Sequence, residues 1–202
     1  MSSFSEFYAN SYDQIHANKN YTEETARLVS FIDKNYSERD LVKILDFGCG
    51  TGGHLQSLAR TGRELSGFDL SVDMLDIAKQ KTTGINFTNN LEDLDSDFDL
   101  VYSLFDVINY QVSNDNLKIF LHGVSSRLRP GGYFICDGWN LDGVRLDPPK
   151  VTSRDFMAQE KKITRRVQPS FEDISFMDGK VWEEDLRNDS WRFVLFAKKT
   201  VG

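Results

Sequence analysis

The sequence of 202 residues contains few of the residues that bind metals or cross-link small folds. It has two cysteines, Cys49 and Cys136, and three histidines. Two distant cysteines without a partner motif exclude a disulfide framework and a cysteine-rich metal site, and they favour a reducing compartment. We therefore expect no metal centre and a cytoplasmic location.

Long apolar runs and an excess of positive charge are also missing. No run approaches the ~18 residues of a membrane span, and the first ten residues lack the basic and apolar regions of a signal peptide. The formal net charge is -7, which argues against nucleic-acid binding because that binding rests on the neutralisation of phosphates. We expect the protein to bind neither a membrane nor a nucleic acid. We also expect it to be a monomer or a homodimer.

The charge that is present is unevenly distributed. Residues 91–106 carry six acidic side chains and no basic one, whereas residues 150–166 carry six basic and two acidic side chains. A run of basic residues usually marks a solvated face. It can also hold an anionic ligand, since Arg165 and Arg166 could bind a phosphate in a forked geometry.

Short apolar segments alternate with amphipathic ones along the first 139 residues. Strand patterns occur at 42–48, 64–70, 85–87, 98–106 and 132–139, and helical patterns at 22–36, 52–61, from Ser71 onward, and at 113–128. Thr22 and Ser71 are placed to cap their helices. This alternation predicts an α/β fold with a parallel, doubly wound sheet, and such sheets bind ligands at the carboxyl ends of their strands.

The C-terminal part has a different pattern. ITRRV, ISFM and WRFVLFAKK are strand-like and have no helix between them, and Asp178-Gly179 is a hairpin turn signal. We expect antiparallel strands that extend the sheet edge or fold over the ligand site.

The segment LDFGCGTGG (45–53) joins the first predicted strand to its helix. Gly48, Gly50 and Gly52 allow the backbone to approach a ligand closely, and the following helix start offers unpaired N–H groups. The spacing Gly48-x-Gly50-x-x-Gly53 also matches a dinucleotide fingerprint, with Asp69 placed after the second strand to hold ribose hydroxyls.

Asp46 distinguishes between the two cofactor classes that this loop could bind. A carboxylate facing the crevice would repel the pyrophosphate of NAD or FAD, and it would attract a cation such as the amino or sulfonium group of S-adenosylmethionine. The sequence thus favours a cationic cofactor. An NAD-dependent oxidoreductase is the alternative, although we find no catalytic Tyr-Lys or His arrangement for it.

Four segments resemble the successive motifs of class I S-adenosylmethionine-dependent methyltransferases: ILDFGCGTGGHL, LSGFDLSVDMLDIAK, FDLVYSLFDVINY and LRPGGYFICDGW. The resemblance covers residues 40–139. It implies a Rossmann-like sheet of seven strands in the order 3-2-1-4-5-7-6, with the last strand antiparallel, in a single domain. That domain would comprise an N-terminal arm and helix (1–42), a cofactor-binding core (43–138), a lid and acceptor segment (139–170) and terminal strands (171–202).

The resemblance also implies residue roles. Asp46 and the loop glycines would shape the methionine end of the site, Asp69 would accept the ribose hydroxyls, and Leu70 would pack on the adenine. Asn90 would take the place of an Asp that contacts the adenine amino group in many relatives. The predicted cofactor contacts are Tyr12, Tyr21, Asp46, Gly48, Gly50, Gly52, Asp69, Leu70, Met74, Asn90, Leu91, Ser103 and Leu104.

A narrower resemblance concerns the acceptor. SYDQIHANKNY and the segment from Trp139 to Pro169 are similar to bacterial sugar methyltransferases that act on nucleotide-linked sugars or glycans. This implies methyl transfer to an amine or hydroxyl of a small molecule. The region after Pro169 lacks the extra helix and strand that relatives commonly add, so a cofactor-binding protein without catalysis is a further alternative.

Candidate residues for the chemistry lie in the N-terminal arm and at the ends of the fourth and fifth strands. Asp106 and Tyr12 are the catalytic candidates, and Asp137 and His16 could also act as a base toward a hydroxyl. Tyr12 and Tyr21 could alternatively be packing residues. The predicted contacts with an acceptor, which the basic run suggests is phosphorylated, are Phe105, Asn109, Trp139, Arg165 and Arg166.

Overall fold

A parallel sheet with helices on both faces forms the centre of the molecule. The computed structural model describes residues 6–36, 42–139, 152–158, 161–167 and 192–200. The elements are α1 (Glu6–Ile15), α2 (Tyr21–Asn35), β1 (Lys43–Phe47), α3 (Gly53–Leu58), β2 (Glu64–Phe68), α4 (Val72–Lys81), β3 (Asn86–Thr88), β4 (Phe98–Ser103), α5 (Asn114–Arg127), β5 (Leu128–Trp139), β6 (Thr152–Ala158), β7 (Lys161–Val167) and β8 (Arg192–Lys198). Short 3-10 helices cover Ala59–Thr61, Leu91–Asp93 and Val107–Tyr110.

The main sheet has the order β3-β2-β1-β4-β5-β8. Strands β1 to β5 are parallel, and β8 is antiparallel to β5. The predicted α/β class, the order of the first five strands and the antiparallel last strand are confirmed. The sheet has six strands among the described residues instead of seven, and β8 takes the position beside strand 5 that was predicted for strand 7.

The second sheet is the antiparallel pair β6–β7, which contains ITRRV and agrees with the predicted antiparallel segment. Strand β6 lies against α1. The predicted strand ISFM and the turn at Asp178-Gly179 lie outside the described residues.

The sheet separates two apolar cores, because successive side chains of a strand point to opposite faces. In β1, Ile44 packs against α2, α3 and α4, whereas Leu45 packs on the α5 side. In β4, Leu100 and Val101 alternate in the same way, and all six residues of the strand are buried. The uninterrupted apolar run of this segment follows from its burial on both faces.

Several element boundaries differ from the predicted ones. Helix α2 begins one residue early and is capped by Asn20 instead of Thr22, since the Asn20 Oδ1 accepts the Glu23 N–H at 3.1 Å. Strand β4 ends at Ser103, three residues sooner than predicted. The reason is that Phe105 and Asp106 have positive φ angles of 71° and 63°, which turn the backbone out of the strand.

Strand β5 begins at Leu128, four residues before the predicted start at Gly132, and thus includes Pro130 and Gly131. The pairing of β4 with β5 shifts register there, and Gly131 has a φ of 75°, so the early part of β5 is irregular. The predicted cap at Ser71 is confirmed by the Met74 N–H, which donates to its hydroxyl. No helix in the described part of the chain has the length and hydropathy that crossing a bilayer requires.

Candidate functional site

The glycine loop lies at the carboxyl ends of the parallel strands, as predicted. The N–H groups of Gly48 and Cys49 donate to the Phe68 carbonyl at 2.7 and 2.9 Å, which anchors the loop to the end of β2. The φ angle of Gly50 is 52°, and in the space beyond its Cα no atom of the described residues, apart from its chain neighbours, lies within 4 Å of a Cβ placed there. The loop is therefore open to a ligand at Gly50, where a side chain would be strained and would enter that space.

The other glycines make room for protein groups. A Cβ at Gly48 would lie 2.6 Å from the Val107 side chain, and one at Gly53 would lie 2.6 Å from the Tyr21 ring. Tyr21 thus packs on the first residue of α3, beside the loop. Gly50 thus leaves room for a ligand, whereas Gly48 and Gly53 allow neighbouring side chains to pack closely on the backbone.

Asp69 is positioned across from the open part of the loop. Its Oδ2 accepts the Gly50 N–H at 2.8 Å, and its Oδ1 accepts the Ser71 N–H at 2.9 Å. Burial raises the pKa of Asp69, and these two backbone hydrogen bonds oppose the rise. Each carboxylate oxygen retains acceptor capacity, so the group can accept hydrogen bonds from a vicinal diol.

Apolar and polar groups near Asp69 differ in accessibility. Leu70 is 77% exposed, which leaves its side chain available to a flat ring, whereas Met74 is buried in the core at 2% exposure. The Asn90 Oδ1 accepts the Glu92 N–H at 3.2 Å and caps the short helix that contains Leu91. Met74 and Asn90 thus have structural roles, in the core and as a helix cap. Their predicted contacts with the cofactor stay predictions.

The end of β4 contributes backbone more than side chains. The Ser103 hydroxyl is fully buried and donates to the Phe47 carbonyl at 2.6 Å, so it fastens β4 to β1. Leu104 packs against the core on the α2 side. A ligand beside these two residues would meet the backbone of Ser103 and the side chain of Phe105.

Asp46 is a buried carboxylate at the end of β1. Burial raises its pKa to about 7, although the charge of His54 and the nearby Tyr102 hydroxyl oppose the rise. Neither the Asp46 Oδ2 nor the Tyr102 hydroxyl has a hydrogen bond of ordinary geometry within the described ranges. A buried acceptor without a partner is costly, so this position fits a ligand that brings a positive charge or a donor.

A charged network beside Asp46 is not evident from the sequence. The Glu24 Oε2 accepts from the Lys19 Nζ at 2.6 Å and from the His54 Nε2 at 2.7 Å. Although burial raises the pKa of Glu24, these hydrogen bonds lower it to about 2. Lys19 and Glu24 lie on either side of the start of a helix. Charged residues at a helix start usually indicate that this end of the helix is exposed to solvent. No sequence signal identifies them as site residues.

The N-terminal arm covers this part of the site with aromatic side chains. The Tyr12 ring lies 4.6 Å from the His16 ring, which in turn lies 5.0 Å from the Phe105 ring. Burial raises the pKa of Tyr12, so its hydroxyl is a hydrogen-bonding group at neutral pH and not a ready base. Asp13 accepts from the Thr51 hydroxyl at 2.7 Å, which joins α1 to the glycine loop.

The predicted acceptor residues lie between the ends of β4 and β5. The Asp106 N–H donates to the Asp137 Oδ1 at 2.9 Å, and the Trp139 N–H donates to the Asn109 Oδ1 at 3.4 Å. The buried Asn109 Nδ2 has no partner within the part of the chain that the structure describes. The geometry thus brings Asp106, Asn109, Asp137 and Trp139 together.

Arg165 and Arg166 lie in β7, opposite Arg154 and Ser153, and their side chains fall outside the described residues. Among the described side chains, no group of three or more His, Cys, Asp or Glu residues is arranged to hold a metal ion. The described site therefore consists of a glycine loop, two strand-end carboxylates and an aromatic cover.

The sequence and the fold both match known methyltransferases. A family described as "Methyltransferase domain" matches residues 44–132. The chain is 26% identical over 161 residues to a dTDP-3-amino-3,4,6-trideoxy-alpha-D-glucopyranose N,N-dimethyltransferase of Streptomyces venezuelae, covering 73% of this chain and 67% of that protein. It is 32% identical over 138 residues to a putative methyltransferase of Bacillus subtilis, covering 64% of this chain and 53% of that protein.

The chain spans about half the length of several curated relatives that it matches. A solved S-adenosylmethionine-dependent methyltransferase from Clostridium acetobutylicum has the same fold, with a TM-score of 0.69 at 20% identity over 96% of this chain and 98% of that one. The motifs, the sheet order and these likenesses agree. Residues 44–132 therefore match a methyltransferase domain, the chain has the fold of S-adenosylmethionine-dependent methyltransferases, and it is similar to sugar methyltransferases.

Proposed function

We propose that the chain transfers a methyl group from S-adenosylmethionine to an amine or hydroxyl of a small molecule, namely a sugar or a nucleotide-linked sugar. The observation that carries this proposal is the pairing of Asp69 with Gly50. A carboxylate with spare acceptor capacity lies beside open space at the glycine loop, and the exposed Leu70 follows it directly.

The residues of the site fit the cofactor at both of its ends. Asp69 would hold the ribose hydroxyls, and Leu70 would offer an apolar surface to the adenine. Asp46, whose Oδ2 has no hydrogen bond of ordinary geometry in the described ranges, would accept from the methionine amino group. When bound, the cofactor supplies a methyl group that is attached to a positively charged sulfonium. Transfer of this methyl group breaks its bond to sulfur and leaves a neutral thioether.

Alignment of the two reactants can contribute much of the rate of such a displacement. An amine acceptor has only to arrive unprotonated, and Asp106 could orient it. A hydroxyl acceptor needs a base within hydrogen-bond reach, for which Asp106, Asp137 and His16 are the candidates. Asp137 also accepts the Asp106 N–H, so these two candidates lie side by side.

Three observations support a sugar nucleotide as the acceptor. Relatives of this chain are named as N,N-dimethyltransferases of dTDP-linked amino sugars. The basic run at 150–166 includes β6 and all but the last residue of β7, and β6 lies against α1 beside the site. Basic side chains there would suit a diphosphate.

Calorimetric titration with S-adenosylhomocysteine tests the cofactor assignment. We expect Asp69→Ala to weaken binding roughly 100-fold, since hydrogen bonds to a charged group contribute about 1.5–3 kcal/mol each. Asp76→Ala, which removes an exposed carboxylate from α4, is the matched control and should bind as the wild type does. Binding of NAD in place of S-adenosylhomocysteine would contradict the proposal.

Methyl transfer itself is tested by a screen of dTDP-linked amino sugars and hydroxyl sugars with labelled S-adenosylmethionine. We expect label on at least one acceptor. Tight cofactor binding without transfer to any acceptor would favour the alternative of a binding protein without catalysis.

A further inference from the structure

A buried lysine lies at the end of the site where Asp46 is found. The side chain of Lys19 is only 7% exposed, although lysine is rarely buried unless it is paired. Its Nζ lies 4.0 Å from the centre of the Phe105 ring and 5.1 Å from that of the Tyr21 ring. The ammonium group thus occupies an aromatic recess of the kind that binds cations.

The position of this recess follows from its two rings. Phe105 lies two residues after the end of β4, and the Tyr21 ring packs on Gly53 at the start of α3. Lys19 therefore lies between the carboxyl end of β4 and the glycine loop. Its charge also acts on the buried Asp46, whose pKa it helps to lower.

We propose that Lys19 is a charge-selectivity residue of the cofactor site, and that its ammonium group weakens the binding of a sulfonium relative to a neutral thioether. Glu24 limits this effect, because its carboxylate is paired with the Lys19 Nζ. The inference rests on the proposed function, since it concerns the ligand that the function assigns to this site.

The physical basis is repulsion between two cations in one partly buried site. Like charges interact strongly where water is excluded, and the charge of Lys19 already acts on Asp46, the carboxylate proposed to hold the methionine end of the cofactor. S-adenosylmethionine and S-adenosylhomocysteine differ by one methyl group and one positive charge. The ratio of their dissociation constants therefore isolates the response of the site to that charge.

A purely structural role for Lys19 makes a different prediction. Lys19 joins the start of α2 to α3 through Glu24 and His54. If that anchoring were its whole role, its loss would change the affinity for both ligands by the same factor. The ratio would then stay constant.

The experiment is calorimetric titration of both ligands into the wild type and four variants. We expect Lys19→Met to lower the ratio Kd(S-adenosylmethionine)/Kd(S-adenosylhomocysteine) roughly tenfold, and Lys19→Arg to retain the wild-type ratio. Glu24→Gln should raise the ratio, because it removes the compensating charge. Lys81→Met is the matched control, because Lys81, like Lys19, pairs with a carboxylate, in this case that of Asp13 in α1. This variant should leave the ratio unchanged.

An unchanged ratio in Lys19→Met, or an equal fall in Lys81→Met, would overturn the inference. If Lys19→Met does not fold, Glu24→Gln decides, and a ratio that stays constant or falls there overturns the inference. Failure of the wild type to bind either ligand would instead refute the proposed cofactor. Binding of both ligands with a constant ratio would refute only the role of Lys19.

Discussion

The carboxyl group of Asp46 makes the ligand-free site sensitive to pH. Burial raises the pKa of Asp46 to about 7 in the folded chain, whereas an unfolded chain ionises Asp near ~3.9. Between these pH values the folded state keeps a proton that the unfolded state has lost. The free energy of unfolding contributed by this group therefore falls as the pH rises from about 4 to about 7.

Asp46→Asn should remove this dependence. Each pKa unit corresponds to about 1.4 kcal/mol, so we expect the stability of the variant relative to the wild type to increase by roughly 2–4 kcal/mol between pH 4 and pH 8. Urea unfolding of the two chains at several pH values measures this difference. Asp76→Asn on the exposed face of α4 is the control, and a wild-type–Asp46→Asn difference that does not change with pH would contradict the assignment.

At the residue scale, spacing along the chain predicts groups that follow strands. Asp46 and Asp69 come at fixed offsets from the glycine loop and from β2, so their place at the strand ends follows from the α/β pattern. Lys19, Glu24 and His54 belong to three different segments, and Glu24 and His54 meet only because α2 packs on α3. Such a contact depends on how each helix is rotated about its own axis. The apolar periodicity of a sequence predicts that rotation too coarsely to identify individual polar contacts.

At the scale of elements, the contact between α2 and α3 depends on a missing side chain. A Cβ at Gly53 would lie 2.6 Å from a carbon of the Tyr21 ring. We expect Gly53→Ala to destabilise the chain by about 1–3 kcal/mol, the usual effect of overpacking. In a Tyr21→Ala background, Gly53→Ala should lower the free energy of unfolding much less. A double-mutant cycle, measured by urea unfolding, gives the coupling between the two positions.

Gly62→Ala provides the contrast for this cycle. At this position after Ala59–Thr61, no atom of the described residues beyond its chain neighbours lies within 4 Å of a Cβ, but the φ is 69°. Its substitution should cost about 1 kcal/mol through backbone strain alone, whether or not Tyr21 is present. Additive effects of Gly53→Ala and Tyr21→Ala would show that the ring is not the obstacle.

The elements differ in how well their sequences predict them. Alternating apolar and amphipathic segments predict the central strands and α2 to α5, because burial on one or two faces leaves a clear period. Helix α1 was predicted only as part of an N-terminal arm, since EFYANSYDQI has aromatic residues without an aliphatic stripe. The end of β4 was placed too late because an apolar run continues past the left-handed turn at Phe105.

At the scale of the whole molecule, the two charge excesses lie in different structural layers. The acidic run includes β4 and the loop before it, at the central sheet, whereas the basic run includes the separate hairpin β6–β7. The strand pairing of the hairpin places Arg165 opposite Arg154. This arrangement supports our proposal of a phosphorylated acceptor.

Arg165→Ala tests the proposed role of the hairpin. We expect the affinity for thymidine diphosphate, titrated in the presence of S-adenosylhomocysteine, to fall roughly 10- to 100-fold, as the loss of a charge-assisted hydrogen bond implies. The affinity for S-adenosylhomocysteine itself should not change. Arg27→Ala removes an exposed arginine of α2 as a control, and equal losses for both ligands in Arg165→Ala would argue against a phosphate clamp.

The pairing of β8 with β5 has a consequence for the order in which the chain folds. Arg192 lies opposite Trp139 and Lys198 opposite Tyr133, so these partners are more than 50 residues apart in sequence. Closing so long a loop costs chain entropy before any contact compensates for it. The βα units can form from near neighbours, whereas β8 must find its edge across the intervening chain. We expect its docking to be a late and slow step of folding.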